Sequence, residues 1–160
     1  MGRLAMPRRG LILAALVLVL DQASKWWILL DVMAPPRMIE VTGFFNLVLV
    51  WNPGISFGLF GGGGGRWLLA GLAVAIAVAL VVWMVRTVRP WLAVALGLVV
   101  GGALGNALDR LIHGRVVDFL DFHLAGFHWP AFNLADSAIT VGVVVMLVDS
   151  LFEKRAAPNI

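Results

Sequence analysis

The chain has 160 residues, of which 61% are hydrophobic and only 13% are charged, and its mean hydropathy is +0.97. This length suits a single domain, and the composition lies far from that of soluble globular proteins. The chain has no cysteine, which excludes disulfides, thiol nucleophiles and thiolate metal sites. Its net charge of +3 is explained below by membrane topology, so no nucleic-acid partner is expected.

Four apolar runs are each long enough to cross a bilayer, which takes about 20 residues. They cover roughly residues 10–30, 67–86, 91–111 and 136–152. A basic stretch precedes the first run as in a signal peptide, but no A-x-A-like cleavage site follows, so we expect an uncleaved span. The pattern predicts a membrane all-α fold, a four-transmembrane-helix bundle that forms one domain over residues 1–160. The outer loops are expected at about 31–66 and 112–135.

The charged residues divide between the two ends of the predicted bundle. The side that carries both termini and the short second connection has seven basic and two acidic residues, and the other side has five basic and seven acidic residues. The positive-inside rule then places both termini in the cytoplasm and most carboxylates toward the outer face. Five tryptophans near the predicted outer boundary fit an interfacial aromatic belt: Trp26, Trp27, Trp51, Trp67 and Trp129.

The first outer loop contains a segment typical of a β-strand. FFNLVLVW at 44–51 is rich in β-branched and aromatic residues, is too short to cross a bilayer, and ends at the turn signal Asn52-Pro53-Gly54. We expect a small extramembrane β-sheet or hairpin on the outer leaflet. The glycines at 61–65 predict a flexible joint into the second span, and the second outer loop, rich in aromatic and charged residues, is expected to be interfacial.

Asp21 lies inside the first span, where an unpaired carboxylate is unfavourable by a few kcal/mol or more. Lys25 follows one turn later on the same helix face, and its long stem could extend to the outer interface. The pair is interpreted as a structural tie between the first helix and the outer part of the protein. A direct chemical role is the alternative.

The third span carries two stripes of small residues that end in polar side chains. Gly97, Gly101 and Gly105 recur every four residues and lead to Asp109, a pattern that favours close helix packing. The neighbouring stripe leads through Asn106 to Arg110. We expect both polar ends to face the interior of the bundle.

Asp118 follows the third span and Asp136 begins the fourth, so both are expected at the same outer boundary. Asp136 could simply cap a helix, and Asp118 could be a solvated loop residue. Together they suggest a pair that shares a proton, in which the ionised carboxylate activates water and the protonated one polarises a carbonyl. Asn52, Asn106 and Asn133 could then bind an extended peptide, and Arg110 could hold a carbonyl of the substrate. Asp121 is interpreted as a loop charge without a role.

His113, His123 and His128 raise the question of a metal site. His123 and His128 do not have the spacing of a helical ligand pair, and no third ligand is evident, so no metal and no other cofactor is expected.

Four blocks in order resemble the lipoprotein signal peptidase (signal peptidase II) family of bacteria: DQASKWW at 21–27, WNPGISFGLF at 51–60, GNALDRLIHGRVVDF at 105–119 and FNLADSAITVG at 132–142. The resemblance implies a four-helix aspartyl endopeptidase of the bacterial cytoplasmic (inner) membrane. Such an enzyme removes the signal peptide of diacylglyceryl-modified prolipoproteins, N-terminal to the lipidated Cys, near the outer face of the membrane. Membrane lipid surrounds it, a monomer is expected, and the cyclic peptide antibiotic globomycin is an expected inhibitor.

Carried over by position, the resemblance makes Asp118 and Asp136 the catalytic pair. It makes the other matched positions the polar residues that bind substrate or support the pair, and the family's small outer sheet would cradle the substrate. These positions are Asn52, Gly54, Asn106, Asp109, Arg110, Asn133, Asp21 and Lys25.

Two alternatives from other classes remain at this point. A small four-helix transporter would use Asp21 as its coupling carboxylate, although such a protein needs no polar outer loops. In a non-catalytic assembly or chaperone subunit, Asp136 would only cap a helix and Asp118 would only be a solvated loop residue.

Overall fold

In the computed structural model, which describes residues 5–54 and 64–156, the chain forms four long helices and a small antiparallel sheet. The helices are α1 (Ala5–Trp27), which a π-helical turn extends over Ile28–Val32, α2 (Gly65–Arg86), α3 (Pro90–His113) and α4 (Leu134–Ala156). The strands are β1 (Ile39–Thr42), β2 (Phe45–Asn52), β3 (Val116–Leu124) and β4 (Phe127–His128). The predicted combination of four apolar helices with a small sheet is confirmed.

All four helices are long and apolar enough to cross a membrane. The candidate spans are Pro7–Val32, Gly65–Arg86, Pro90–His113 and Leu134–Phe152, with mean hydropathies between 1.6 and 2.8. The third begins at Pro90, where a proline loses no helical hydrogen bond, and ends before Gly114, whose φ of 75° suits a glycine after a helix. Most of the glycine run at 61–65, predicted to be a flexible joint, lies outside the described residues.

Helix α3 is the central helix of the bundle. In the most apolar stretch of α3, 67% of the residues are buried, against 17–28% in the corresponding stretches of the other three spans. Its glycines permit this packing, because a Cβ at Gly97 would overlap the carbonyl oxygen of Gly10 and one at Gly101 would lie 2.6 Å from the carbonyl oxygen of Ala14. On the neighbouring face, a Cβ at Gly102 would lie 2.5 Å from the carbonyl oxygen of Ala135. One glycine stripe therefore packs on α1, and the other packs on α4.

The sheet has the order β1-β2-β3-β4, and every neighbouring pair is antiparallel. The predicted strand FFNLVLVW is β2 with one residue shifted at each end. Its partner β3 lies in the second outer loop, for which the sequence predicted an interfacial position but no strand. The carboxylates in VVDFLDFHL obscured the strand pattern, but Asp118 and Asp121 are both buried because each pairs with an asparagine of β2.

The sheet lies at the end of the bundle where α1 and α3 end and α4 begins. The His113 ring of α3 has its centroid 5.5 Å from that of Trp26 of α1 and 5.4 Å from that of Trp51 of β2. Phe132, just before α4, exchanges backbone hydrogen bonds with Leu120 of β3 at 2.9 and 3.1 Å. These contacts fix the ends of three helices against one strand pair.

The glycine stripes generate a stability prediction. Gly101→Ala is expected to lower the free energy of unfolding by about 1–3 kcal/mol, because the new methyl group must displace the α1 backbone. Gly71→Ala in α2 is the matched control, since a Cβ there meets nothing within 4 Å. Thermal unfolding in detergent should show a lower Tm for the first variant and an unchanged or slightly higher Tm for the second. Equal shifts for both would contradict the packing role.

Candidate active site

Asp118 and Asp136, which come from different elements, both contact Asn133. Asp118 lies in β3 with 1% of its surface exposed, and Asp136 lies half-buried in the first turn of α4. The Asn133 side chain donates from Nδ2 to Oδ1 of Asp118 at 2.7 Å. The same side chain accepts at Oδ1 from the backbone N–H of Asp136 at 2.9 Å. One buried residue thereby sets the position of both carboxyl groups.

Asp136 also has the helix-capping role that its position suggests. Its Oδ2 accepts from the backbone N–H of Asn133 at 3.2 Å, while Asn133 caps the N–H of Asp136 in return. This reciprocal pair is a capping box, with Asn and Asp in place of the usual residues. The second oxygen, Oδ1, accepts from Nδ2 of Asn106 at 2.8 Å, so capping occupies only part of the carboxylate.

Asn52 brings the first outer loop to the site. Its Nδ2 donates to Oδ2 of Asp118 at 2.9 Å, and its Oδ1 accepts from the backbone N–H of Gly54 at 2.8 Å. Gly54 has a φ of 78°, and a Cβ there would lie 2.9 Å from Nη2 of Arg110. The glycine therefore provides both the turn and the room for the guanidinium group.

Arg110 lies among the carboxyl groups of the site. Its Nη1 donates to the backbone oxygen of Asn106 at 3.1 Å, and it interacts electrostatically with Asp136, Asp109 and Asp118. Its buried Nε has no hydrogen-bond partner among the described residues. A buried N–H without an acceptor is unfavourable, so this donor is available to a carbonyl group that enters beside Gly54.

Behind the site, Lys25 forms a buried ion cluster with Asp21 and Asp109. Its Nζ lies 2.8 Å from Oδ2 of Asp21 and 2.9 Å from Oδ2 of Asp109. A third bond, of 3.0 Å, reaches Oδ1 of Asn106. The sequence suggested that the Lys25 stem could extend to the outer interface. It turns inward instead and is 1% exposed, because two buried carboxylates require its charge.

Gln22 belongs to this cluster and was missed in the sequence. Its Nε2 donates to Oδ1 of Asp109 at 2.9 Å and to the backbone oxygen of Gly105 at 3.2 Å, and it also contacts Asp21. The sequence did contain a signal for this role, because Gln22 is an amide side chain next to Asp21 within an apolar span. Polar side chains in such spans usually face the protein interior.

The electrostatic environment of Asp118 favours its protonated form. Burial raises the pKa of the Asp118 carboxyl group above its ordinary value, and the neighbouring charge of Asp136 raises it further. The hydrogen bonds from Asn52 and Asn133 lower the pKa but do not overcome burial. A carboxyl group that keeps its proton can donate a hydrogen bond to a substrate carbonyl.

Asp121 is not the loop charge that the sequence suggested. It is 6% exposed in β3, where its Oδ2 accepts from Nδ2 of Asn46 at 2.9 Å and both its oxygens lie 2.9 Å from Nδ1 of His128. Desolvation raises the pKa of Asp121, but the Asn46 bond and the His128 ring lower it by more, so its net shift is downward. Asp118 and Asp121 thus have the same kind of partner on β2 and opposite pKa shifts.

The histidines form a ring contact. His123 and His128 stack with their centroids 4.9 Å apart across the β3–β4 pair. Across residues 5–54 and 64–156, no group of three or more His, Asp or Glu side chains could hold a metal ion.

Comparison with known proteins identifies the family. The family model described as signal peptidase (SPase) II matches residues 13–152. A lipoprotein signal peptidase of Rhodopseudomonas palustris (strain TIE-1) is 48% identical over 151 residues, which cover 90% of this chain and 92% of that protein. The lipoprotein signal peptidase of Methylorubrum extorquens (strain PA1) is 48% identical over 157 residues, covering 95% and 91%.

A solved structure of a bacterial membrane enzyme has the same fold. Its TM-score is 0.80 at 29% sequence identity, and the match covers 95% of this chain and 93% of that one. A second solved bacterial membrane enzyme has a TM-score of 0.79 at 32% identity, over 89% and 92% of the two chains. The match to the family model, the close relatives and the four membrane-capable helices agree with the resemblance found in the sequence. The chain belongs to the signal peptidase II family, and it is a bacterial multi-pass membrane protease that cleaves signal peptides from lipoprotein precursors.

Proposed function

We propose that Asp118 and Asp136 are the catalytic pair of this peptidase and that they cut the peptide bond N-terminal to the diacylglyceryl-modified Cys of prolipoproteins. The observation that carries the proposal is the position of Asn133, whose side-chain amide donates to the Asp118 carboxylate while its backbone N–H donates to the Asp136 carboxylate. Capping or solvation alone would not require a shared buried partner, which argues against a non-catalytic subunit.

In the proposed reaction, Asp136 acts as the base and Asp118 as the acid. The ionised Asp136 takes a proton from water while the water oxygen attacks the scissile carbonyl carbon, and the proton of Asp118 moves toward the carbonyl oxygen. When the tetrahedral intermediate collapses, its C–N bond breaks and Asp136 returns the proton to the leaving amine. Asp118 recovers its proton from the intermediate, so the pair ends in its starting state.

The remaining polar groups have supporting roles in this proposal. Asn52 orients Asp118, and the unpartnered Nε of Arg110 receives a backbone carbonyl of the substrate next to Gly54. Asn106, Asn133, Asp109, Asp21 and Lys25 hold the pair from behind.

The membrane setting also belongs to the proposal. Both termini face the cytoplasm, and the sheet lies at the outer face of the inner membrane, where the lipid of the substrate Cys holds the scissile bond. Globomycin binds as an inhibitor at the same site, and the enzyme works as one domain and as a monomer without a cofactor. The transporter alternative is not favoured, because both oxygens of Asp21 accept hydrogen bonds and none of its surface is exposed.

The second prediction tests the pair by substitution. Asp118→Asn and Asp136→Asn nearly keep the shape and remove the proton transfer, so each should lower kcat by roughly 10²-fold or more. Uncleaved lipid-modified precursor should accumulate, as measured by mass spectrometry of a purified prolipoprotein substrate. Asp121→Asn is the matched control, because it makes the same change in the same strand at a buried carboxylate outside the pair. Normal cleavage by the Asp118→Asn protein would overturn the assignment.

The third prediction concerns the pH dependence of kcat. Activity requires protonated Asp118, so kcat should fall as the pH rises through its raised pKa. Asn52→Ala removes a hydrogen bond that lowers this pKa, and the basic limb of the kcat profile should therefore move to higher pH.

Asn46→Ala is the control for this experiment. It removes the corresponding β2 asparagine, which bonds to Asp121 rather than to Asp118, and should leave the basic limb in place. A limb that moves to lower pH in Asn52→Ala, or moves equally in both variants, would contradict the role of Asp118 as the acid.

A further inference from the structure

The third hydrogen bond of Lys25 is not explained by charge pairing. Two of its three N–H donors neutralise Asp21 and Asp109, and the third is directed to the neutral Oδ1 of Asn106 at 3.0 Å. Lys25 is buried on α1 and makes no hydrogen bond to Asp118 or Asp136. The Asn106 amide is its direct link to the Asp136 carboxylate, whereas Asp21 and Asp109 link it to the backbone of α4 and β3, and its charge also acts on Asp118.

That bond determines which way the Asn106 amide points. Its Oδ1 also accepts from Nδ2 of Asn133 at 3.1 Å, so two donors face the same atom. An ammonium group has donors only, and a rotated amide would direct its own N–H groups at both of them. The orientation of Asn106 is thus fixed by the network.

The fixed amide directs Nδ2 of Asn106 at Oδ1 of Asp136, at 2.8 Å. The other oxygen of Asp136 accepts from the backbone N–H of Asn133 at the start of α4. Both oxygens face donors, and the positive end of a helix dipole adds to this. The Arg110 guanidinium group of α3 and the Asp118 carboxyl group of β3 also act electrostatically on Asp136. Hydrogen bonds donated to a carboxylate favour its ionised form.

We infer that Lys25 is a positioning residue for the proposed reaction: its ammonium group fixes the polarity of the Asn106 amide, and this directs the Nδ2 donor of Asn106 at the carboxylate of Asp136, the proposed base. The inference rests on the proposed function, because it presupposes that Asp136 acts as the base. It assigns Lys25 a task beyond tying α1 to α3.

A double-mutant cycle tests whether Lys25 acts through Asn106. Lys25→Met and Asn106→Leu should each lower kcat on the order of 10²-fold through misplacement of the base, with KM unchanged for Lys25→Met because Lys25 is buried away from substrate. The double variant should be no slower than Asn106→Leu alone, since both changes break the same connection. Multiplying effects, on the order of 10⁴-fold in the double variant, would overturn the inference.

The pH profile separates positioning from a structural role. In Lys25→Met the Asn106 amide loses the charged one of the two donors that hold its orientation and keeps only the neutral Asn133 donor, so its bond to Asp136 weakens and the acidic limb of the kcat profile should move to higher pH. Gln22→Met is the matched control, because it removes a donor from the same two carboxylates without contacting Asn106. Its acidic limb should stay in the wild-type position, and an equal shift would assign the effect to general loosening of the cluster.

Lys25→Met leaves two buried carboxylates without a counter-charge and can fail to fold. The variant Asp21→Asn/Lys25→Met/Asp109→Asn removes all three charges at nearly constant shape and should show the same shift of the acidic limb. A folded triple variant with the wild-type profile would overturn the inference.

The two proposals fail in different ways. Cleavage by the Asp118→Asn or Asp136→Asn protein would refute the catalytic pair itself. If both of those variants lose cleavage, but the effects of Lys25→Met and Asn106→Leu on kcat multiply in the double variant, only the positioning role is refuted.

Discussion

An ammonium group buried between two carboxylates is the constraint on which the rest of this structure depends. Each of these charges would be strongly unfavourable inside an apolar bundle on its own, and together they are tolerable only with saturated hydrogen bonding. The remaining lone pairs are used to attach other elements. Oδ1 of Asp21 accepts from the backbone of Ala135 in α4 at 2.9 Å, and Oδ2 of Asp109 accepts from the backbone of Val117 in β3 at 3.0 Å. Solvating one cation therefore fixes two further helices and a strand relative to α1.

The glycines of α3 follow from the same constraint. A Cβ at Gly105 would occupy the position of the Asp21 carboxylate, so the helix needs a residue without a side chain where the ion cluster sits. Gly97 and Gly101 continue this close approach along α1, one turn apart each time. Gly97 and Gly101 permit close helix packing, as glycines often do in membrane helices. Gly105, the last glycine of the stripe, instead makes room for the Asp21 carboxylate.

The sequence predicted those features that depend on local composition. Hydropathy located the four membrane-capable helices to within a few residues, and the β-branched and aromatic composition of FFNLVLVW located β2. The ordered blocks identified the family, and the same blocks named Asp118 and Asp136, which the fold brings to a common partner. Asp136 could be interpreted both as a helix cap and as a reactive group; in the structure its Oδ2 caps α4, while its Oδ1 accepts from Asn106.

The errors arose where long-range partners decide the outcome. Val116–Leu124 looked like a charged loop because nothing local indicates that two of its carboxylates pair with asparagines 66 and 75 residues away. The Lys25 side chain is long enough to reach the outer interface, and the sequence suggested that it could. Its ammonium group points inward because Asp109 lies on another helix, a position that the local sequence does not reveal. Asp121 was interpreted as a loop charge because its partners Asn46 and His128 cannot be recognised from the local sequence.

The capping box at the start of α4 has a consequence for how the enzyme is made. The hydrogen bonds that begin this helix are also those that orient Asp136, and the residue that caps it, Asn133, is the one that holds Asp118. A nascent chain that has inserted its first three spans possesses Asp118 without its counterpart. Under the proposed chemistry, such a chain cannot hydrolyse peptides in the crowded insertion machinery. Under this chemistry, the chain can cleave peptides only after the last span has packed against the others. It is therefore inactive during insertion, as a zymogen is before activation, but no segment has to be removed.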